Sequence, residues 1–219
     1  MDMANCRSYV TSFLLTWISL FSSLTNGSQL NHVTCGSVIK LRNNVHDGRL
    51  HSHDVRYGSG SGQQSVTGMK LKTDHNSYWT VKPAYSTSCN RGEPIRCGTV
   101  IRLQHMATGK YLHSHLFSSP LSNNQEVSAF GDEGQSDTGD NWKLHCDDDF
   151  WPRDAAVRFQ HVDTGHFLHM TGQTFGRPIA GQYEICAHYS SSSGSFWEVA
   201  EGVYIRPSSL DTTVGHDEL

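Results

Sequence analysis

The sequence contains no cluster of lysines or arginines. Its 219 residues include 17 Lys and Arg against 21 Asp and Glu, so the formal net charge is −4. Surfaces that bind nucleic acid, anionic lipid or heparin depend on clustered positive charge. We therefore exclude these classes of partner, and with them a heparin-binding growth factor.

Signatures of catalysis are also missing. There is no Gly-x-Ser-x-Gly, no His-Glu-x-x-His and no Cys-x-x-Cys, and the Gly-Ser run at residues 58–62 lacks the Gly-Lys-Ser/Thr ending of a phosphate-binding loop. The acidic stretches at residues 132–140 and 147–149 do not fit a twelve-residue calcium loop. We predict a protein that is not an enzyme and that holds no cofactor and no metal.

Long apolar runs are confined to one place, residues 9–24. This run is short for a membrane span, no basic stop-transfer flank follows it, and small residues lead up to Gly27. The pattern is typical of a secretory signal peptide, so we predict that residues 1–27 are removed. The remaining 192 residues are enough for one domain with a sizeable core.

The chain ends in a tetrapeptide that matches a retrieval signal for the endoplasmic reticulum: His216, Asp217, Glu218 and Leu219. The residues before it show no apolar periodicity, so we expect residues 208–219 to form a flexible tail that presents the signal. Together the two ends predict a resident of the endoplasmic reticulum lumen that binds a retrieval receptor.

Cysteines suit that oxidising compartment. Five remain beyond the predicted signal peptide: Cys35, Cys89, Cys97, Cys146 and Cys186. We prefer the pairing Cys35–Cys89 and Cys97–Cys146, in which each disulfide lies within one of the first two segments of a threefold sequence repeat. Each closes a loop of about 50 residues and is worth ~4 kcal/mol in the chain-entropy model. The differing distances of Cys89 and Cys146 from the preceding tryptophans leave other pairings open. In the preferred scheme Cys186 is unpaired.

A repeated motif dominates the rest of the chain. Leu50-His51-Ser52-His53 recurs 62 residues later as Leu112-His113-Ser114-His115 and, 56 residues after that, as Leu168-His169-Met170-Thr171. Gln63, Gln125 and Gln182 keep step within a residue, and each unit closes on a tryptophan: Trp79, Trp142 and Trp197. A fixed period of this length indicates an architecture built by repetition.

Each unit contains four short runs with the alternation and β-branched bias of strands, and an x-Gly turn joins the first run to the second. Sustained helical periodicity is missing. Four strands repeated three times predict an all-β fold, a β-trefoil with a closed barrel and a hairpin cap. A β-sandwich of the same length gives no reason for threefold periodicity. We place the trefoil at residues 28–207, with unit one at about 33–91, unit two at about 95–150 and unit three at about 151–205.

Residues 50–68, 112–115 and 119–131 carry a family resemblance: they are similar to the stromal cell-derived factor 2 family, whose members consist of MIR repeats. The MIR module also occurs in protein O-mannosyltransferases and in inositol trisphosphate and ryanodine receptors. The resemblance implies a non-enzymatic β-trefoil in the endoplasmic reticulum. It further implies partners: a J-domain co-chaperone, the chaperone BiP and unfolded client proteins, in protein quality control.

An alternative function is a carbohydrate-binding, lectin-like module that takes mannose or glycoproteins, because many trefoils bind sugars. The Gln-x-Trp triplet of ricin-type lectins is missing before the three repeated tryptophans. This argues against that lectin subtype and leaves other glycan-binding modes open.

Candidate binding residues follow from the motif and its loops. Residues i and i+2 of a strand share a face, so each histidine pair, His51 with His53 and His113 with His115, could present two imidazoles to a metal. We favour the alternative that the pairs are structural and face solvent at a hairpin. Planar polar and aromatic side chains near the Gly-Ser run suit peptide or sugar contacts. These are Arg56, Tyr57, Gln63 and Gln64, with Gln125 in unit two.

Phe150 and Trp151 follow an acidic loop. They are either an exposed anchor for a partner or part of the core. Because the third unit breaks the motif at Met170-Thr171, we expect a binding site on units one and two.

Overall fold

The computed structural model describes residues 31–131 and 135–207. The predicted signal peptide and the retrieval tail lie outside the described residues, so both stay predictions. Within the described ranges, no helix is long and apolar enough to cross a membrane.

Twelve strands make up the described part of the chain, four in each unit. Those of unit one are β1 (Val38–Asn43), β2 (Arg49–Arg56), β3 (Gln64–Met69) and β4 (Trp79–Pro83). Those of unit two are β5 (Val100–His105), β6 (Tyr111–Ser118), β7 (Gln125–Phe130) and β8 (Trp142–His145). Those of unit three are β9 (Arg158–His161), β10 (Phe167–Thr174), β11 (Tyr183–His188) and β12 (Trp197–Val203).

Helix is limited, in these ranges, to three single 3₁₀ turns, each just before the strand that starts with the repeated tryptophan. They are His75–Ser77, Thr138–Asp140 and Ser193–Ser195. The prediction that helices are scarce is therefore confirmed.

The strand pairing is that of a β-trefoil, which confirms the predicted fold. β1 pairs with β12 along its whole length, from Val38 opposite Val203 to Asn43 opposite Trp197, and thereby joins the first unit to the last. β2–β3, β6–β7 and β10–β11 form three hairpins whose second strands pair with one another. Closure of this kind leaves little open sheet edge.

The repeated Leu and Trp of the motif meet in the core. Trp79, Trp142 and Trp197 are fully buried. Each indole Nε1 donates a hydrogen bond to the backbone carbonyl of the repeated leucine of its own unit: Leu50 at 2.8 Å, Leu112 at 2.9 Å and Leu168 at 3.0 Å. A buried indole N–H needs such a partner, which explains why both residues recur together.

The preferred disulfide scheme is confirmed. Cys35 pairs with Cys89 and Cys97 pairs with Cys146, while Cys186 is a buried free thiol. Burial raises the pKa of the Cys186 thiol to about 12, which keeps it protonated and unreactive. Unit three has Arg153 where the others have a cysteine, and the Arg153 guanidinium lies 3.5 Å from the centre of the Tyr204 ring.

Candidate functional site

Two cavities open on the hairpin cap, each where one unit meets the next. Cavity one, about 240 Å³, lies between units one and two and is lined by Asp54, Arg56, Gln63, Gln64 and Lys110 among others. Cavity two, about 310 Å³, lies between units two and three and is lined by Leu116, Phe117, Gln125, His166 and Tyr189 among others.

The two cavities occupy equivalent positions of the repeat. Asp54 and Leu116 are each the sixth residue of the first hairpin strand of their unit. Gln64 and Gln125 each begin the second hairpin strand, and Lys110 and His166 each precede the first hairpin strand of the following unit. The pseudo-threefold symmetry therefore gives both cavities the same frame, and only the side chains differ.

Cavity one carries charge. Asp54 and Arg56 are exposed, and neither makes a hydrogen bond or ion pair with any described residue. Lys110 Nζ donates to the backbone carbonyl of Gly131 at 3.1 Å. Gln63 Oε1 accepts a hydrogen bond from Ser128 at 2.5 Å, which fixes its amide on the wall. The cavity offers a carboxylate, a guanidinium and amides to a polar ligand.

Cavity two is apolar at its mouth. Leu116 is 87% exposed, Phe117 49% and Tyr189 74%. Large apolar side chains that gather at a cavity in this way mark an interaction surface. The sequence interpretation missed all three of these residues. The repeat itself held the signal, because Leu116 and Phe117 stand where unit one has Asp54 and Val55.

At the third equivalent position, side chains fill the space. Tyr183 begins β11 where the other units have Gln64 and Gln125. A Cβ added at Gly68 would lie 2.4 Å from Met170 Cε and 3.0 Å from Tyr183 Cβ, so these two side chains pack against the glycine. The sequence thus departs from the repeated motif at Met170, one of the residues that fill this space. Cavity two nevertheless takes His166 and Tyr189 from unit three, which our expectation of units one and two had left out.

The first histidine of each pair is buried, so the prediction that it faces solvent is wrong. His51 is 2% exposed and His113 5%. His51 Nδ1 lies 2.7 Å from Asp74 Oδ2, and His113 Nδ1 lies 2.9 Å from Asp140 Oδ1. These pairs tie the hairpin to the 3₁₀ turn that precedes the tryptophan strand. The carboxylates lie 23 and 27 residues further along the chain, so no local spacing revealed them.

The second histidines differ between the units. His53 is half-buried, with Nδ1 2.8 Å from His51 Nε2, and burial lowers its pKa. His115 Nε2 lies 3.0 Å from Glu126 Oε1. Burial disfavours the Glu126 carboxylate, but hydrogen bonds from His115 and Ser61 outweigh this effect, so the pKa of Glu126 lies below its usual value. The hydrogen bonds from Ser61 to Glu126 thus hold the Gly-Ser loop of unit one against unit two.

A neighbouring groove of about 620 Å³ exposes part of the second histidine pair. There, ligand atoms of His113, Asp137 and Asp140 lie within 4.8 Å of one another, a grouping able to hold a metal ion. Asp140 already accepts hydrogen bonds from His113 and Ser136, and Asp137 accepts one from the Gly139 amide at 2.8 Å. These bonds account for the grouping, and the absence of a metal stays a prediction.

Two predicted surface residues belong to the core instead. Tyr57 is 6% exposed and its hydroxyl lies 2.9 Å from the Val66 carbonyl oxygen; burial raises its pKa. Trp151 is fully buried and its ring packs 5.4 Å from that of Phe159. Phe150 is half-buried beneath the Arg96 guanidinium, 4.7 Å away. The prediction of an exposed aromatic anchor is therefore wrong. The alternative, that these aromatic residues belong to the core, holds for Trp151.

The chain matches known proteins over most of its length. The MIR domain family matches residues 48–197, and the match together with the trefoil defines a MIR-domain protein. Human stromal cell-derived factor 2-like protein 1 is 54% identical over 187 residues, which cover 85% of this chain and 84% of that protein. This chain belongs to the stromal cell-derived factor 2 family.

Solved structures also resemble this chain in fold and in sequence. The SDF2-like protein from Arabidopsis thaliana is 49% identical with a TM-score of 0.79, over 81% of this chain and 99% of that one. A protein O-mannosyltransferase Pmt1–Pmt2 complex from S. cerevisiae, bound to the sugar donor, is 27% identical with a TM-score of 0.71. That match covers 80% of this chain and 26% of the yeast chain.

Proposed function

We propose that this protein is a non-enzymatic resident of the endoplasmic reticulum lumen that holds unfolded clients within a J-domain co-chaperone–BiP assembly. Its family membership and the predicted signals at both ends support the compartment and the partners. Family relatives and a MIR domain support a binding role over a catalytic one.

The observation that carries client binding is the apolar mouth of cavity two. Leu116, Phe117 and Tyr189 expose 87%, 49% and 74% of their surface. Burying such a side chain is worth about 1.5–3 kcal/mol, and unfolded chains offer apolar segments that can cover it. Cavity two can bind apolar segments of many different client sequences, because apolar contact is not directional.

Rigidity of the scaffold supports the same role. Two disulfides staple units one and two, and the closed barrel fixes the hairpins that line the cavity. A site that is ordered before binding costs little further entropy when a client arrives.

Suppression of client aggregation tests this function. The wild-type protein should lower light scattering from a reduced, unfolded secretory protein. Leu116→Asp, which copies Asp54 of the sister unit and so should fold, should lose most of that effect. Leu71→Asp is the matched control, because Leu71 is 59% exposed and does not line cavity two. Equal suppression by all three proteins would remove client binding from cavity two.

Cross-linking in the intact lumen tests the assembly. We expect a J-domain co-chaperone and BiP among the captured partners. Recovery of the full-length protein without either of them, under conditions that preserve other lumenal complexes, would reject the adaptor role.

Carbohydrate binding is a second candidate, favoured by cavity one. Asp54, Arg56 and Gln63 offer hydrogen-bond donors and acceptors suited to a hydroxyl-rich ligand. The 27% identical chain from a mannosyltransferase complex adds support. A glycan array should show binding that Arg56→Ser, a copy of Ser118 in unit two, removes. No signal above background for the wild-type protein would end this candidate.

A further inference from the structure

Gln64 and Gln125 make the same hydrogen bonds, although the walls around them differ. Gln125 Nε2 donates to Ser114 Oγ at 2.6 Å and to Thr164 Oγ1 at 3.0 Å. Gln64 Nε2 donates to Ser52 Oγ at 2.8 Å and to Thr108 Oγ1 at 3.0 Å. The arrangement belongs to the cavity frame and is independent of the wall chemistry.

The serine in each set is already a donor. Ser114 Oγ donates its one proton to the backbone carbonyl of Glu126 at 2.7 Å. A hydroxyl has a single proton. Towards Gln125, Ser114 therefore acts as an acceptor, and the group that faces it must be the amide NH₂.

The threonine is committed in the same way. His161 Nε2 lies 2.9 Å from the Gly139 carbonyl oxygen, which only accepts, so the ring proton sits on Nε2. Burial lowers the pKa of His161 and keeps the ring neutral, which leaves Nδ1 as an acceptor. The Thr164 hydroxyl donates to Nδ1 at 2.9 Å. It thus accepts from Gln125, and His105 with Thr108 repeats this arrangement for Gln64.

Both hydroxyls therefore fix the amide NH₂ inward, and Gln125 Oε1, like Gln64 Oε1 in cavity one, is left without a hydrogen-bond partner among the described residues. Gln125 is only 6% exposed and forms part of the wall of cavity two. A buried carbonyl oxygen without a partner costs free energy that a ligand N–H recovers. Within the part of the chain that the structure describes, His166 Nδ1, also in that wall, has no partner either.

We propose that Gln125 Oε1 accepts a hydrogen bond from a main-chain N–H of an extended client segment, whose apolar side chain covers Leu116, Phe117 and Tyr189. His166 supplies a second polar group for the adjacent peptide carbonyl. The inference rests on the proposed client binding. It makes Gln125 the residue that selects for extended polypeptide, because a peptide unit offers a donor beside an apolar side chain.

A peptide panel tests this assignment. A short extended peptide with a central Phe is compared with versions N-methylated at one amide at a time, and binding is measured by fluorescence anisotropy. On the wild-type protein, one N-methyl position should weaken binding about tenfold, the effect of one hydrogen bond. On Gln125→Met that difference should fall below about twofold. Gln64→Met, the same change in cavity one, should keep the full difference.

Each outcome separates the two claims. If the peptide binds and Leu116→Asp weakens it, but N-methylation has no effect on the wild-type protein, Gln125 Oε1 is paired with buried water only and the inference is wrong. If the peptide does not bind, or binds equally to Leu116→Asp, the proposed function fails as well. Should Gln125→Met not fold, Thr164→Val releases the amide and should reduce the N-methyl difference; an unchanged difference would overturn the assignment.

Discussion

Cavity one and cavity two occupy the same place in successive units, yet one presents charges and the other apolar rings. Their shared part is the set of groups that hold the hairpins: a glutamine amide, a serine, a threonine and a buried histidine. Their differing part includes Asp54 against Leu116 in the lining of the two cavities, and the next residue of each strand, Val55 against Phe117. The contrast shows that the repeat conserves the frame of a site and leaves its ligand chemistry free to diverge.

The third equivalent position extends the comparison. Tyr183 and Met170 pack against Gly48 and Gly68, where an added Cβ would lie within 2.7 Å of Met170 Cε. This space is therefore a cavity where a glutamine begins the second hairpin strand. Where a tyrosine begins that strand, core side chains fill the space.

Removing the core tryptophan of unit two should break both cavities at once, because unit two lines each of them. Trp142→Ala should destabilise the fold by about 3–5 kcal/mol, since the fully buried ring and its bond to the Leu112 carbonyl are both lost. Urea unfolding measures this change. Leu71→Ala, at a side chain that is 59% exposed, is the control. A loss below about 1 kcal/mol for Trp142→Ala would contradict the shared core.

Removing the disulfide of unit two should have the next largest effect on stability. It also tests the difference between unit two and unit three, which has Arg153 in place of a cysteine. The double substitution Cys97→Ser with Cys146→Ser should lower the free energy of unfolding by about 2–5 kcal/mol. Arg153→Ala, which removes the contact with Tyr204 in unit three, should cost less, about 1 kcal/mol. Thermal and urea unfolding compare the two variants. Equal losses would mean that the disulfide adds nothing beyond its local packing.

Acid should act on unit three through His169. Burial lowers the pKa of His169 to about 4, against 6.5 for the free imidazole. Between these pH values the unfolded chain binds a proton that the folded chain does not, so stability falls as pH is lowered from 6.5 to 4. Because one pKa unit corresponds to about 1.4 kcal/mol, His169→Gln should remove a pH-dependent loss of roughly 2–3 kcal/mol over this window. Urea unfolding at several pH values should show no such flattening for the exposed His75→Gln.

Much of the fold was predictable because it repeats. The strands and the trefoil followed from the spacing of motif and tryptophan, whereas the cysteine spacing gave a preferred disulfide pairing and left others open. The roles of His51 and His113 did not, because their partners Asp74 and Asp140 meet them only through the fold. Strand alternation placed both histidines of a pair on one face without revealing which one is buried.

Cavity two escaped prediction for a related reason. An apolar pair within a strand, such as Leu116-Phe117, has the same pattern as core residues, so only its position relative to unit one marked it as exposed. Trp151 illustrates the reverse error, because an aromatic residue after an acidic loop suggested an anchor although its ring is fully buried.

A reciprocal exchange between the two cavities tests most directly whether cavity two holds the client. One variant carries Leu116→Asp with Phe117→Val, and the other carries Asp54→Leu with Val55→Phe, so these two positions of each hairpin strand receive the residues of the other unit. The measurement is affinity for an unfolded apolar client. The first variant should lose at least about tenfold in affinity and the second should gain. Unchanged affinity in the first variant, with its fold intact, would contradict the account.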